Sequence, residues 1–427
     1  WRSREFRKKV SEPTSALVLV DEETLAFLKK HENIGWPLPR DMYCPVILWL
    51  AKAGAKVTAF DILYSDPSEF DAIFAECIAE AGNVVLAFQC HRGSEDPNPP
   101  KSWTYGMKVV GQPPTGQMCD YVLPATDPES ELTLRSAPKS GALVTVQPDL
   151  DGVLRHMTPM IRGREGYHAV LGMGAYLAQQ STPTIEHHGD YLQVNDKHIP
   201  LDENGQVVVR WRPNWPPFPI YSFSRIYSTV KIEEAEAEGE VPEEIKKQKL
   251  DPALFKGKTI FLGTSAAGTY ETRVSPIREK DYGIHLHASF FESIVSDDYN
   301  ERADATTNLL LLLVFSFLMA AVATIPKKIS SEMLLSLLVF LSFIGLVVYA
   351  FESRGLWLNL VAPTIGMVVA FSTGIVSNYL TEGRQKSQIR SAFSMYLSPI
   401  VIESLVEDPS KLKLGGERRQ ITAFFSD

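Results

Sequence analysis

The sequence predicts an α/β domain followed by three membrane-spanning helices. Strand and helix patterns alternate through the first part of the 427-residue chain, whereas long apolar runs are concentrated between residues 308 and 380. A chain of this length is expected to form more than one domain. Its net charge of −9 argues against a nucleic-acid-binding protein, because such proteins carry basic patches.

Alternating elements predict βαβ units in the first domain, residues 1–304. The strands are expected at 16–21, 56–64 and 83–89, and the helices between them at 41–54 and 68–82. Helices of this length between strands favour a mainly parallel sheet with flanking helices on both faces. Residues 151–161, "YLQVND" and "GQVVVRW" are typical of antiparallel hairpins. The charged segment 231–250 is expected to be a solvated helix or loop.

Three apolar runs predict transmembrane helices, because each approaches or reaches the roughly 20 residues that cross a bilayer. They occupy residues 308–325, 333–351 and 356–380, within a membrane region of 305–380. Buried helices of a soluble core are the alternative. Three such runs separated by short polar loops favour the membrane.

Basic residues in the short loops predict the orientation. Lys327 and Lys328 follow the first run, and Arg384, Lys386 and Arg390 follow the third, so both segments are expected in the cytoplasm. Residues 1–304 then lie outside, and a helical linker, 381–414, lies inside. The opening "WRSREFRKKV" has no apolar signal region, so a membrane helix is expected to precede residue 1.

Four cysteines, Cys44, Cys77, Cys90 and Cys119, lie in the outer region, where disulfides are permitted. Four cysteines allow three pairings, which sequence alone does not decide. We favour Cys90 with Cys119, which closes a proline-rich loop. Free thiols buried as small apolar groups are the alternative.

Ligands of parallel sheets bind at the carboxyl ends of the strands. Those ends carry Asp21, Asp61, Thr264 and Ser265, and Arg40 comes from the nearby "WPLPR" turn. These five residues are the candidate ligand site. The alternative is structural: Asp21 caps a helix that starts at Glu22, and Asp61 is a fixed carboxylate.

The nine histidines suggest no metal site. The adjacent His187 and His188 face different directions on a regular element, and His285 and His287 share a face only on a strand. A structural or surface role is expected for all four.

The outer region resembles the CHASE2 extracellular sensor domain through an ordered series of blocks. These are "VLVDEETL", "WPLPR", "AGAKVTAFDILYSDP", "AGNVVLAF", "DGVLRHMTPMI", "IPLDENGQ", "KTIFLGTSAAGT" and "GIHLHASFFESIV". The resemblance covers nearly all of residues 10–380. It implies a sensor ahead of three transmembrane helices, with an unknown extracytoplasmic ligand and an output domain such as a kinase or a nucleotide cyclase.

The residues after the third run distinguish among these outputs. No histidine follows His287, as a histidine kinase would need, and the Gly-rich loop of a protein kinase is missing. Instead, the segment ending in "GGERRQITAFFSD" resembles the entry of a class III adenylate or guanylate cyclase domain. Residues 415–427 would be its first strand, with the catalytic domain truncated after it, and Asp427 its first metal-binding aspartate.

The cyclase resemblance implies a membrane-bound enzyme of the bacterial inner membrane that makes cyclic AMP from ATP as a homodimer. Two Mg²⁺ or Mn²⁺ ions held by carboxylates would activate the ribose 3′-hydroxyl and neutralise the phosphates. A guanylate cyclase and a non-enzymatic ligand-binding sensor or scaffold are the alternatives.

The linker carries an apolar stripe of Ile389, Phe393, Tyr396 and Leu397. This stripe is expected to pack either within its own domain or against a dimer partner.

Overall fold

The computed structural model describes residues 12–90, 98–110, 121–126, 130–211, 218–239, 241–268, 273–325, 329–393, 420 and 422–426. The strands are β1 Ser15–Val20, β2 Val57–Phe60, β3 Val84–Cys90, β4 Lys108–Val109, β5 Tyr121–Val122, β6 Ser140–Leu143, β7 His156–Met157, β8 Met160–Arg162, β9 Tyr167–Ala169, β10 Ile185–His187, β11 Tyr191–Val194, β12 Lys197–Pro200, β13 Val207–Val208, β14 Ile220–Ser222, β15 Thr259–Thr264, β16 Arg273–Ser275, β17 Arg278–Asp281, β18 Glu301–Arg302 and β19 Leu356–Trp357. The helices are α1 Glu22–His31, α2 Tyr43–Lys52, α3 Asp71–Ala81, α4 Leu171–Leu177, α5 Phe223–Glu238, α6 Glu243–Lys246, α7 Gly283–Ser296, α8 Ala305–Thr324, α9 Ile329–Arg354 and α10 Val361–Phe393.

The chain divides into two compact units. The first contains residues 1–302 and 351–356, and the second contains 303–350 and 357–427. The first is a mixed α/β domain and the second carries the three apolar helices, as the sequence predicts.

A seven-stranded sheet forms the centre of the first unit. Its order is β14–β1–β15–β2–β3, with β5 and β6 both paired to β3. All these pairs are parallel except β3 with β5. The late strand β15 lies between the early strands β1 and β2, so their carboxyl ends are neighbours at one edge of the sheet.

Helices cover both faces of this sheet, and β1 shows why its sequence is apolar from Ala16 to Val20. All six residues of β1 are buried. Leu17 and Leu19 pack into the core that includes residues of α4 and α7, whereas Val18 and Val20 pack into the core that includes residues of α1, α2, α3 and α5. Successive side chains point to opposite faces, so a strand covered on both sides is apolar at nearly every position, and the buried Ser15 is hydrogen-bonded to Glu292.

"YLQVND" and "GQVVVRW" both form antiparallel strands, as predicted: β11 pairs with β10 and β12, and β13 pairs with β7. One helix of the same unit was not predicted. Helix α4, "LGMGAYL", has two glycines, which weaken helix propensity and conceal it in the sequence. Gly174 permits close packing, since a Cβ there would lie 2.6 Å from the Ala142 Cβ.

Cys44 and Cys77 form a disulfide between α2 and α3, with a Cα–Cα distance of 5.5 Å. Cys90 is also disulfide-bonded. The alternative of free thiols is therefore wrong for these three cysteines. Cys119, the partner predicted for Cys90, lies outside the described residues.

The three apolar helices of the second unit are long enough and apolar enough to cross a membrane. The candidate spans are Ala305–Thr324, Ser330–Arg354 and Val361–Thr381. Within the unit, α8 packs closely on α10: Gly366 lies against Ser316, and Asn378 Nδ2 donates to the Ala323 carbonyl over 2.7 Å.

Helix α10 differs from the predicted third span at both ends. It begins at Val361, five residues later than the apolar run, and Asn359 Oδ1 accepts hydrogen bonds from the amides of Val361 and Ala362. This is the behaviour of a helix-capping side chain. The helix then continues without a break to Phe393, past the predicted end at Leu380.

Candidate functional site

The carboxyl edge of the central sheet brings together four of the five candidate residues. Val20 pairs with Thr264, and the Asp61 amide donates to the Leu262 carbonyl over 2.8 Å. Asp21, Asp61 and the Thr264–Ser265 pair therefore follow three neighbouring strands.

Neighbouring residues donate hydrogen bonds to the Asp21 carboxylate. Its Oδ1 accepts hydrogen bonds from the amide of Thr24 at 2.8 Å, the hydroxyl of Thr24 at 2.7 Å and the hydroxyl of Ser222 at 2.8 Å. The carboxylate thus caps α1 and ties it to β14. The structural interpretation of Asp21 accounts for these contacts without a ligand.

The Arg40 side chain contacts residues of its own domain and does not extend to the sheet edge. Its guanidinium pairs with Asp71, donates to the backbone carbonyl of Asp66, and lies 5.1 Å from the centroid of the Tyr64 ring. The residue is buried. Arg40 therefore fixes the loop after β2 onto α3, and we remove it from the ligand site.

Asp61 differs from both, because its carboxyl accepts no hydrogen bond from the described residues. The half-buried side chain lies beside β15 and the start of α7: a Cβ on Gly263 would be 3.4 Å from the Asp61 Cβ, and one on Gly283 would be 3.9 Å from Oδ2. Burial raises the pKa of Asp61 to about 7. The group is therefore poised between its neutral and charged forms near neutral pH.

The segment after β15 completes the edge. The amides of Ser265 and Ala266 both donate to the Val20 carbonyl, and Glu22 Oε1 accepts from the Ala267 amide over 2.7 Å. Thr264 has an interaction partner of its own. Glu22 is a contributor that sequence reasoning missed.

A buried Ser–Asp–His chain precedes and enters α7. Ser275 Oγ donates to Asp281 Oδ2 over 2.8 Å, and His285 Nδ1 lies 2.5 Å from Asp281 Oδ1. Burial raises the pKa of Asp281, but hydrogen bonds from His285, Ser275 and the Tyr282 amide outweigh it and leave this pKa below its ordinary value. Sequence reasoning missed this chain because Ser275 and Asp281 are brought together only by the pairing of β16 with β17.

His285 and His287 both lie on α7 and are buried. Burial lowers the pKa of His287 to about 4, so this imidazole is neutral at pH 7. On a helix these two side chains diverge. In the described parts of the chain, no group of three or more His, Cys, Asp or Glu side chains could hold a metal ion. Asp427, the predicted metal ligand, is not among the described residues.

The carboxyl edge lies in a domain that matches a known protein family. The model of the CHASE2 domain matches residues 1–323. The chain belongs to the CHASE2 family. CHASE2 is an extracytoplasmic sensor domain, and with three candidate spans the chain is consistent with a membrane protein. Comparisons with curated proteins and with solved structures returned no match.

Within the CHASE2 domain, α7 extends from the candidate edge to the end of the domain. Its first residue, Gly283, lies by Asp61, and the buried Glu292 farther along accepts hydrogen bonds from the amide and hydroxyl of Ser15, both at 2.7 Å. The helix therefore joins the carboxyl edge to the start of β1.

The end of the CHASE2 domain also holds residues 351–356, which belong to the same compact unit. The Glu301 amide donates to the Gly355 carbonyl over 3.0 Å. Gly355 has φ +70°, and an added Cβ would meet the Tyr299 carbonyl, so only glycine fits without strain. The segment between the second and third apolar helices is thereby attached to the sensor.

Proposed function

We propose that this chain is the sensor, membrane and linker portion of a receptor-type adenylate cyclase that makes cyclic AMP from ATP. The observation that carries the cyclase part is the terminal stretch "GGERRQITAFFSD", which resembles the first strand of a class III cyclase domain. The CHASE2 match and the three candidate spans support a receptor architecture.

The ligand of this receptor is a small polar molecule bound at the carboxyl edge by Asp61, Thr264 and Ser265. Asp61 supports this assignment, because a carboxyl without a hydrogen-bonding partner among the described residues is costly to bury and is satisfied by a ligand that donates to it. The Asp21 carboxylate and the Arg40 guanidinium already have partners, so they position the edge instead of contacting the ligand.

The signal leaves the domain along α7. A ligand at Asp61 adjoins the first residue of this helix, and six residues after its last residue the backbone reaches Arg302 at the end of β18. A continuous helix moves as a rigid element, so a shift at its start is transmitted to its end. The segment 351–356, which belongs to the same compact unit, is continuous along the chain with the second apolar helix.

The protein would lie in the bacterial inner membrane with residues 1–304 outside and the C-terminus inside. The lysines at 327 and 328 and the basic residues at 384, 386 and 390 support this orientation. Helix α10 supports a continuous link into the cytoplasm, since it extends 12 residues beyond Thr381, where the candidate span ends, to Phe393.

The proposed reaction joins the ribose 3′-oxygen of ATP to the α-phosphorus and releases pyrophosphate and a proton. Asp427 would contribute one carboxylate to a site for two Mg²⁺ or Mn²⁺ ions, which supply Lewis-acid activation of the hydroxyl and neutralise phosphate charge. The remaining ligands would come from the intact homodimer.

Replacing Asp427 with alanine in the intact protein tests this function. Membranes with Asp427→Ala are expected to lose cyclic AMP synthesis by ~100-fold or more with either metal ion, because a metal ligand is removed. Ser426→Ala, one residue earlier, is the matched control and should retain activity. Undiminished synthesis by the Asp427→Ala protein would remove the cyclase assignment.

A further inference from the structure

His156, on β7, occupies a polar junction at the end of the CHASE2 domain. It is 7% exposed. Its Nδ1 lies 2.7 Å from Asp149 Oδ1, and its Nε2 lies 3.4 Å from an Arg302 guanidinium nitrogen. A carboxylate only accepts hydrogen bonds and a guanidinium only donates them. The neutral imidazole therefore donates from Nδ1 to Asp149 and accepts at Nε2 from Arg302.

Further charged groups surround the imidazole. Asp202 Oδ2 lies 3.9 Å from Nε2, and Asp149 is itself paired with Arg155 over 2.9 Å. Arg155 also binds Asp151 through two hydrogen bonds, which lower the pKa of Asp151 to about 2 and keep it ionised. The neighbouring strand β13 presents Val208 opposite His156.

Farther along the same segment, Arg210 pairs with Asp298. The charged groups around the ring thus include three aspartates, Arg155 and Arg302, and Arg302, Arg210 and Asp298 each have a further interaction partner.

We propose that His156 is an acid-sensitive latch that helps to hold β18 and loosens it when the imidazole is protonated. In the protonated ring both nitrogens carry hydrogen. The Nε2–H then faces the N–H groups of Arg302, so a favourable contact becomes a repulsive one. Asp202 is the nearby acceptor for this hydrogen, so the ring exchanges Arg302 for Asp202. Histidine is the side chain whose charge ordinarily changes between pH 5 and 8.

The position of Arg302 gives the latch a consequence for signalling. Arg302 ends β18, and two residues later along the chain Asp304 caps α8 by accepting from the Thr307 amide over 3.2 Å. Loss of the His156 contact weakens the attachment of β18, which its pairing with β19 and a further partner of Arg302 also hold, and β18 leads into the first apolar helix. External acidity thereby becomes a second input, distinct from a ligand at Asp61 and independent of what the cytoplasmic output is.

Hydrogen exchange of the Glu301 and Arg302 amides tests the latch in the full chain. The Glu301 amide is bonded to the Gly355 carbonyl, so its protection reports whether β18 is held. In detergent micelles, protection corrected for the intrinsic exchange rate is expected to fall by ~10-fold or more between pH 7.5 and 5.5. His156→Gln keeps a donor and an acceptor but takes up no proton, so its protection should not depend on pH.

The exposed His198 supplies the matched control, and His198→Gln should retain the wild-type response. An unchanged wild-type protection at pH 5.5, or a fall that persists in His156→Gln, overturns the proposal. If His156→Gln does not fold, Arg302→Gln replaces it. This variant should show low protection at both pH values, and a wild-type response in it would equally refute the latch. Because the readout lies in the sensor, failure of the cyclase assignment leaves this result intact.

Discussion

At the scale of the residue, Asp61 and Asp21 show that two carboxylates at one sheet edge have opposite effects on folding. Asp21 accepts three hydrogen bonds and caps a helix, so its carboxylate has partners within the fold. Asp61 accepts none from the described residues, so burial penalises its charged form. The sequence places both after apolar strands and does not distinguish them, since the difference depends on partners such as Ser222 that lie far away along the chain.

Replacing Asp61 with asparagine is expected to stabilise the sensor at alkaline pH. The pKa of Asp61 rises from 3.8 to about 7 on folding, so the folded state binds more protons between these values. The free energy of unfolding therefore falls as pH rises through this window, by at most about 4 kcal/mol. Asp61→Asn removes this loss, so its advantage over wild type should grow from pH 4 to pH 8 in denaturant unfolding.

The control for this prediction is Asp21→Asn, which should destabilise the protein at pH 8 by roughly 1–2 kcal/mol through the loss of a helix cap. An Asp61→Asn protein that is less stable than wild type at pH 8 would show that the carboxylate has a stabilising partner. That result would also weaken its assignment to a ligand.

At the scale of the element, close packing of α8 on α10 depends on small residues. A Cβ added to Gly374 would lie 2.6 Å from the Ala323 Cβ, whereas one added to Gly345 on α9 meets no atom within 4 Å. Small residues let helix backbones approach each other in membranes. Gly374→Leu should therefore destabilise the helical unit by about 1–3 kcal/mol or more through overpacking.

Thermal unfolding in detergent measures this effect. Gly374→Leu is expected to lower the melting temperature, and Gly345→Leu, which adds the same side chain, should leave it nearly unchanged. Equal shifts in both variants would show that the α8–α10 contact does not determine stability.

Elements with a strong local pattern are the ones that sequence reasoning found. The strand at Ser15–Val20 is apolar from Ala16 onward and the helix at Tyr43–Lys52 has a clear period, so both were predicted close to their observed bounds. The start of α10 was misplaced, because hydropathy treats Leu356 and Trp357 as part of an apolar helix although they form β19. The pairing of β13 with β7 joins segments about 50 residues apart, and no local pattern specifies such a register.

The candidate site, too, was predicted only in part from the sequence. The carboxyl-edge rule located Asp61 and Thr264 correctly at neighbouring strand ends. It did not reveal the Ser275–Asp281–His285 chain or the His156–Arg302 contact, since these depend on how a hairpin and a distant strand fold back.

At the scale of the whole molecule, the proposed receptor has an extracytoplasmic sensor ahead of three membrane helices and an internal output. The CHASE2 match supplies the sensor, and apolar helices with few buried positions supply the membrane part. Signal transmission across the membrane requires that the sensor and the C-terminus lie on opposite sides. Orientation is therefore the claim on which the receptor proposal depends.

Sandwich fusions in the intact protein measure this orientation directly. Green fluorescent protein should fluoresce when inserted after residue 325 or 393, because both positions are proposed to be cytoplasmic. Alkaline phosphatase should be active only after residue 354, outside the membrane. Active phosphatase at 325 and 393, with fluorescence at 354, would contradict the account by placing the sensor domain and the C-terminus on the sides opposite to those proposed.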